Sequence, residues 1–422
     1  MKKVLIIAHL LMASPRIPGL ARYLPEFGWE PIIVTAPTGS KSESNLTIIE
    51  TDYSETLGFW KKLFGIHPNQ DDKARFKARL GINSRTSLID FALTRVGEIA
   101  NYPDSDKGWK PFALKAGAEI LGKEKIDAII SSSSPVTSHI IASELKAKHH
   151  VPWLAELRDL WSQNHNYGYS PARRWIDRRL EVKTLKSSDV LVTVSEPWAE
   201  KLSRLHYGKQ TRTITNGFDP AEIDSKSIRL TPKFSISYTG MIYPGKQDIT
   251  RLFAALQTLI SSKVIDPARL EVRFYGSQEA WLDKEIERFG IKGIAVQHGQ
   301  VAKNVALQKQ RESQLLLLLD WDDPEERGIY PGKIFEYLAA KRPVLATGGN
   351  QDGVVAGLLK SSGAGMWAGD TEAVIEALSQ FYSEFKAQGK LVWRGKDSEV
   401  QKYSYREMAK KFAEVLDDIT KS

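Results

Sequence analysis

Gly328-Ile329-Tyr330-Pro331-Gly332-Lys333-Ile334-Phe335-Glu336-Tyr337-Leu338-Ala339-Ala340-Lys341-Arg342-Pro343-Val344-Leu345-Ala346 carries a loop, a helix and a strand in close succession. It reads as a loop, a helix starting near Gly332, a tight exit at Arg342-Pro343 and a buried strand. That order is one crossover of a parallel sheet. At the helix start the free N–H groups form an anion site, which Lys333 strengthens, and Gly332 lets a ligand approach the backbone. One turn along, Glu336 is suited to accept hydrogen bonds from two vicinal hydroxyls; the alternative is a carboxylate that caps or salt-bridges an exposed helix.

Outward from this stretch the same alternation recurs. The pattern predicts buried strands at Phe234–Tyr238, Leu270–Tyr275, Ile294–Gln297, Leu315–Leu319 and Pro343–Ala346. An earlier series covers Val4–Ala8, Pro31–Thr35, Ile126–Ser131, Trp153–Glu156, Val190–Val194 and Arg212–Thr215. Short β-rich runs between helical stretches predict an α/β protein with two Rossmann-like, parallel-sheet domains. The turn cluster Asn216-Gly217-Phe218-Asp219-Pro220 separates the two series. It predicts domains over 1–216 and 217–402, with a C-terminal amphipathic helix over 403–422 returning to the first.

A chain of 422 residues fits two cores of ordinary size. No cysteine occurs, which removes disulfides, thiolate metal sites and cysteine nucleophiles. The apolar run after Met1-Lys2-Lys3 has strand length, so it is read as a first buried strand and not as a secretion signal. No apolar run approaches the roughly 20 residues that span a bilayer. His9-Leu10-Leu11-Met12-Ala13-Ser14 follows the first strand without G-x-G-x-x-G, which argues against a dinucleotide enzyme. There is no Walker loop and no metal-ligand spacing.

The net charge of +8 is unevenly spread: Gly58–Lys115 holds eleven Lys or Arg against six Asp or Glu. Phe59-Trp60-Lys61-Lys62-Leu63-Phe64 alternates aromatic and basic residues there, and Trp109 follows. Such a segment suits an anionic membrane surface, or is a solvated excursion whose aromatics pack on its own domain.

The quoted stretch resembles the nucleotide-sugar site of GT-B glycosyltransferases, particularly family 4. Members usually carry two glutamates separated by seven residues; Glu336 matches the second, which binds the donor ribose, while Gly328 stands where the first belongs. Tyr238-Thr239-Gly240-Met241-Ile242-Tyr243-Pro244-Gly245-Lys246 is similar to the family's glycine loop at the donor pyrophosphate. By that resemblance Gly240, Gly245, Lys246, Gly276, Gly332, Lys333 and Glu336 bind donor, and Lys246 neutralises the departing diphosphate. Lys246 otherwise reads as a solvated turn residue.

Leu157-Arg158-Asp159-Leu160-Trp161 follows a predicted strand, where charged residues point into the crevice at the strands' carboxyl ends. Similar Arg-Asp-Leu-Trp segments occur in family members acting on lipid-linked or polysaccharide acceptors. They imply that Asp159 orients or deprotonates an acceptor hydroxyl and that Arg158 holds a phosphate; an ion pair bracing the loop is the alternative. Arg16, opening the first helix, is expected at the acceptor, as is Ser133 from Ser131-Ser132-Ser133-Ser134-Pro135, a run that helix capping also explains.

The resemblance implies a GT-B fold with sheets facing across a cleft, and sugar transfer from a nucleoside diphosphate with retention. It implies no cofactor beyond the donor and no bound metal; no nucleic-acid partner is expected, and the basic segment Gly58–Lys115 predicts a cytoplasmic protein working at the inner face of a membrane. A nucleotide-sugar epimerase of the same fold and a non-catalytic binding protein are the rival readings.

Overall fold

The structure, a computed structural model, describes residues 1–10, 15–38, 46–54, 98–222 and 228–421. The chain divides into two compact units, Met1–Ile214 with Ala409–Ser422, and Thr215–Met408. The segment Phe59–Phe64, including Trp60, Lys61 and Lys62, lies outside the described residues.

The first unit is built on a seven-stranded sheet in the order β3-β2-β1-β4-β5-β6-β7. Its strands are β1 Lys2–Ile7, β2 Trp29–Thr35, β3 Thr47–Glu50, β4 Ala128–Ser133, β5 Trp153–Leu157, β6 Val190–Thr193 and β7 Thr211–Thr213. Every ladder is parallel. The helices that follow these strands include α1 Arg16–Tyr23, α2 Lys110–Lys123, α3 Thr137–His149, α4 Pro171–Leu185 and α5 Glu196–Leu205. Strands covered on both faces must be apolar throughout, and Val4–Ile7 are fully buried accordingly.

The second unit repeats the plan with six parallel strands in the order β10-β9-β8-β11-β12-β13. They are β8 Phe234–Thr239, β9 Leu270–Tyr275, β10 Ala295–Gly299, β11 Leu315–Leu319, β12 Val344–Thr347 and β13 Gly365–Ala368. Around them lie α6 Thr250–Ser261, α7 Ala280–Arg288, α8 Lys303–Glu312, α9 Lys333–Ala340, α10 Val354–Ser362 and α11 Thr371–Gln388. Five consecutive leucines make β11, and each is buried, as a strand in mid-sheet requires. The last helix, α12 Tyr405–Thr420, buries Met408, Phe412 and Leu416.

The expected α/β architecture with two parallel sheets is present, with local differences. β4 runs on through Ser133, so the serine run belongs to the strand. Asp104 instead satisfies the start of α3, accepting from Thr137 N–H and Thr137 Oγ1 at 2.7 Å each. Trp109, counted above with the membrane-facing aromatics, is fully buried and donates from Nε1 to Thr51 Oγ1 at 2.9 Å. Its indole belongs to the core of the first unit because its one polar atom has an internal partner. Among the described residues no helix is long and apolar enough to cross a membrane.

Candidate active site

In the second unit, the carboxyl ends of β8 and β9 and the start of α9 converge. Gly240, directly after β8, has φ +110°, and a Cβ there would stand 2.5 Å from Lys333 Cε. Gly276, directly after β9, would place a Cβ 2.3 Å from the Gly240 carbonyl oxygen. Gly276 is therefore required by the close approach of a backbone and Gly240 by its positive φ, and the two loop backbones and the Lys333 side chain pack together. The Lys333 ammonium lies 4.9 Å from the centre of the Tyr238 ring. Burial holds its pKa below the usual lysine range, while neighbouring Glu336 acts in the opposite sense.

Glu336, half-buried on the first turn of α9, accepts from Gln310 Nε2 at 2.8 Å. The same amide donates to Thr239 Oγ1 at 2.9 Å. Gln310 is fully buried on α8, so it fixes the carboxylate of Glu336 beside the end of β8. Tyr337 Oη accepts from Thr239 N–H at 3.3 Å, a second tie between α9 and β8. Gly332 precedes α9 and is exposed, with nothing within 4 Å of where a Cβ would stand.

Gly245 and Lys246 occupy the turn after β8. Gly245 has φ +74°, a left-handed conformation that favours glycine. Gln247 anchors the turn, donating to Leu319 O at 2.7 Å and accepting from Tyr243 N–H at 3.1 Å. Lys246 is exposed, with its ammonium 5.7 Å from the Trp321 ring centre. Lys333 rather than Lys246 is the lysine held against Gly240. Glu326, near the position of the missing glutamate, is buried and accepts from Gly328 N–H at 2.9 Å.

In the first unit, Arg158 directly follows β5 and is turned back onto β4. Its Nε donates to Ser132 Oγ at 3.0 Å and Ser133 O at 2.9 Å, and Nη2 donates to Ser134 O at 3.0 Å. The arginine thus braces the serine loop through its backbone, and burial lowers its pKa. Asp159 is half-buried and, among the described residues, makes no hydrogen bond or ion pair. It is not the partner that braces Arg158.

Arg16 does not present itself to an acceptor. Its side chain is 1% exposed, with Nε on Glu156 Oε1 at 2.6 Å, Nη2 on Ile214 O at 2.7 Å and the guanidinium 5.4 Å from the Phe412 ring. An arginine so enclosed ties α1, β5 and α12 together; the expectation that it meets the acceptor is corrected.

Residues 17–222 match the family model described as Glycosyltransferase Family 4. HepE from Anabaena, solved with UDP and glucose, superposes with a TM-score of 0.63 at 12% identity over 99% of this chain and 100% of that one. A glycosyltransferase from Rickettsia africae gives 0.63 at 14% identity, over 100% and 99%. This chain has the GT-B fold, and part of it matches the family 4 model. The UDP-GlcNAc 2-epimerase of Methanocaldococcus jannaschii shares the fold at a TM-score of 0.51 and 13% identity, over 99% and 100%. No curated protein matches the sequence.

Two buried groups of this GT-B chain escaped sequence reasoning. His139 on α3 is fully enclosed, and its Nδ1 lies 2.7 Å from Ser131 Oγ, which also accepts from Trp153 Nε1 at 2.8 Å. Burial, with the nearby Arg158 charge, lowers its pKa to about 3, so the ring is neutral. Asp320, directly after β11, is 6% exposed and lies against Gly349, where a Cβ would stand 2.3 Å from Oδ2. Burial, reinforced by Asp322, pushes its pKa up to about 7. Neither residue stands in a recognisable motif, and each is defined by neighbours distant in the chain.

Proposed function

We propose that the chain is a retaining glycosyltransferase that moves a sugar from a nucleoside diphosphate to a hydroxyl of a glycan or lipid-linked acceptor, without a bound metal, in cell-surface polysaccharide or glycolipid assembly. The observation that carries this reading is the cradle of Gly240, Gly276, Lys333 and Glu336. Two loop backbones without side chains, a lysine and a carboxylate aimed by Gln310 suit a pyrophosphate and a ribose diol in turn. HepE binds UDP, by its description. In the reaction the bond from the sugar's anomeric carbon to the diphosphate breaks and the acceptor oxygen takes its place. The acceptor's proton passes to the departing phosphate, whose growing charge Lys333 and Lys246 offset.

Asp159 is the group we assign to orienting the acceptor hydroxyl. Arg158 shapes the serine loop beside it, with Ser133 in that loop. The basic character of Gly58–Lys115 and the Arg-Asp-Leu-Trp segment support an amphiphilic acceptor met at the inner membrane face.

Calorimetric titration with UDP, GDP and ADP, followed by product analysis with each sugar nucleotide, tests the reading. Binding of one of them, and release of that diphosphate only when an acceptor is supplied, is the expected result. Release without acceptor would favour the epimerase reading, and no binding to any of the three would overturn the assignment.

A further inference from the structure

Helix α4 buries charged residues while exposing apolar ones. Its buried face holds Arg173, Asp177, Glu181 and Thr184. Its exposed face holds Trp175, Ile176 and Val182, at 55%, 43% and 38% exposure. An apolar residue alone on a surface is ordinary, but three on one helix, set among exposed cations, mark a face for a partner.

The charges indicate what that partner is. Between Pro171 and Lys186 there are six cations and two acids. Both acids are buried and committed: Asp177 accepts from Arg173 Nε at 3.0 Å, and Glu181 from Ser162 N–H at 3.0 Å and His206 Nε2 at 3.3 Å. Arg173 is likewise consumed internally, donating to Pro103 O at 2.7 Å. The outward face therefore displays Arg174, Arg178, Arg179, Lys183 and Lys186 with no acid among them. Among the described residues none of these five forms an ion pair. Arg179 lies over the Trp175 ring at 3.7 Å, and Trp175, Arg178, Arg179, Val182, Lys183 and Lys186 line one shallow concavity.

We infer that this face of α4 docks on an anionic lipid bilayer, with Trp175, Ile176 and Val182 at the headgroup boundary and the five cations on lipid phosphates. Cations flanking aliphatic and indole side chains match an interface whose outer layer is charged and whose next layer is apolar. A nucleic-acid backbone would leave Ile176 and Val182 without an apolar partner. This inference deepens the reading of a membrane-side acceptor and rests on it, but places the attachment on a helix outside the basic segment Gly58–Lys115.

The test is co-sedimentation of the full chain with vesicles of phosphatidylcholine alone or with phosphatidylglycerol at about one third of the lipid, at low and high salt. A charge variant combines Arg174→Gln, Arg178→Gln, Arg179→Gln and Lys183→Gln, and a second combines Trp175→Ser with Val182→Ser. The native chain is expected to bind the anionic vesicles and to release them in salt. Each variant should bind at least ten-fold less while keeping native melting temperature and nucleoside diphosphate affinity. Equal binding by native and variant chains overturns the proposal, as does a native chain that ignores anionic vesicles or is displaced from them by tRNA. Nucleotide affinity is read separately, so loss of the donor assignment and loss of the docking face are distinguishable.

Discussion

Gln310 Nε2 donates to Glu336 Oε2 at 2.8 Å, joining two helices at the carboxylate we assign to the donor ribose. The bond orients Glu336 and leaves its other oxygen for a ligand. Glu336→Ala should therefore weaken nucleoside diphosphate binding by about 1.5–3 kcal/mol, the range of a lost charge-assisted hydrogen bond. Calorimetry on the variant, with circular dichroism to establish that it folds, provides the check; unchanged affinity would remove Glu336 from the site.

Gly276 makes a second kind of prediction, since a side chain there would run into the Gly240 backbone. A Cβ at Gly276 would stand 2.3 Å from the Gly240 carbonyl oxygen, a rigid backbone atom that cannot swing away. Gly276→Ala should displace the loop after β8, lowering stability by about 1–3 kcal/mol and nucleotide affinity with it. Urea denaturation and calorimetry measure the two effects, and a fully stable variant with native affinity would show that the loop gives way freely.

How much of this was legible in the sequence follows from what each residue's partners are. Leu315–Leu319 declares itself because a strand covered on both faces is apolar at every position. β3 and β13 escaped because they are four-residue edge strands with half-exposed positions, so neither continuity nor alternation marks them. Gly240, Lys333 and Glu336 sit in local motifs and could be named. Gln310 could not, because α8 is polar nearly all round and its contact with Glu336 spans 26 positions. Arg16 was misread for a similar reason: the carboxylate that buries it lies 140 positions away.

The Arg16–Glu156 pair is almost wholly enclosed, which sets the sign and size of its mutations. Arg16→Met leaves a buried carboxylate without its cation and should cost about 3–5 kcal/mol. Adding Glu156→Leu removes the orphaned charge, so the double variant should recover much of that loss. Chemical denaturation of the two variants decides it; equal instability of both would mean that packing, not charge, dominates.

His139 contributes to the pH dependence of the first unit. Its pKa is about 3 in the folded chain against an ordinary 6.5, so on acidification the unfolded chain takes up the proton first. Its stabilising effect is complete above pH 6.5 and is lost as pH falls toward 3. His139→Gln should therefore flatten the decline in stability between pH 6.5 and 4.5, seen in urea midpoints taken at intervals across that range. A decline of unchanged steepness would assign it to other groups.

Asp320 works in the opposite sense in the second unit. Its carboxyl is pushed up to about 7 by burial, from an ordinary 3.8, so the folded chain holds the proton after the unfolded chain has released it. The contribution of that bound proton is fully present below pH 3.8 and is lost as pH rises through 7. Asp320→Asn keeps an oxygen that can accept from Trp321 N–H, which Oδ1 does at 2.8 Å in the native chain, and removes the ionisation. The variant's stability relative to native should accordingly rise between pH 5 and pH 8, in melting temperatures recorded at both values. A difference independent of pH would mean that Asp320 is already ionised at pH 5, with water or a cation reaching a carboxylate that burial alone would keep neutral.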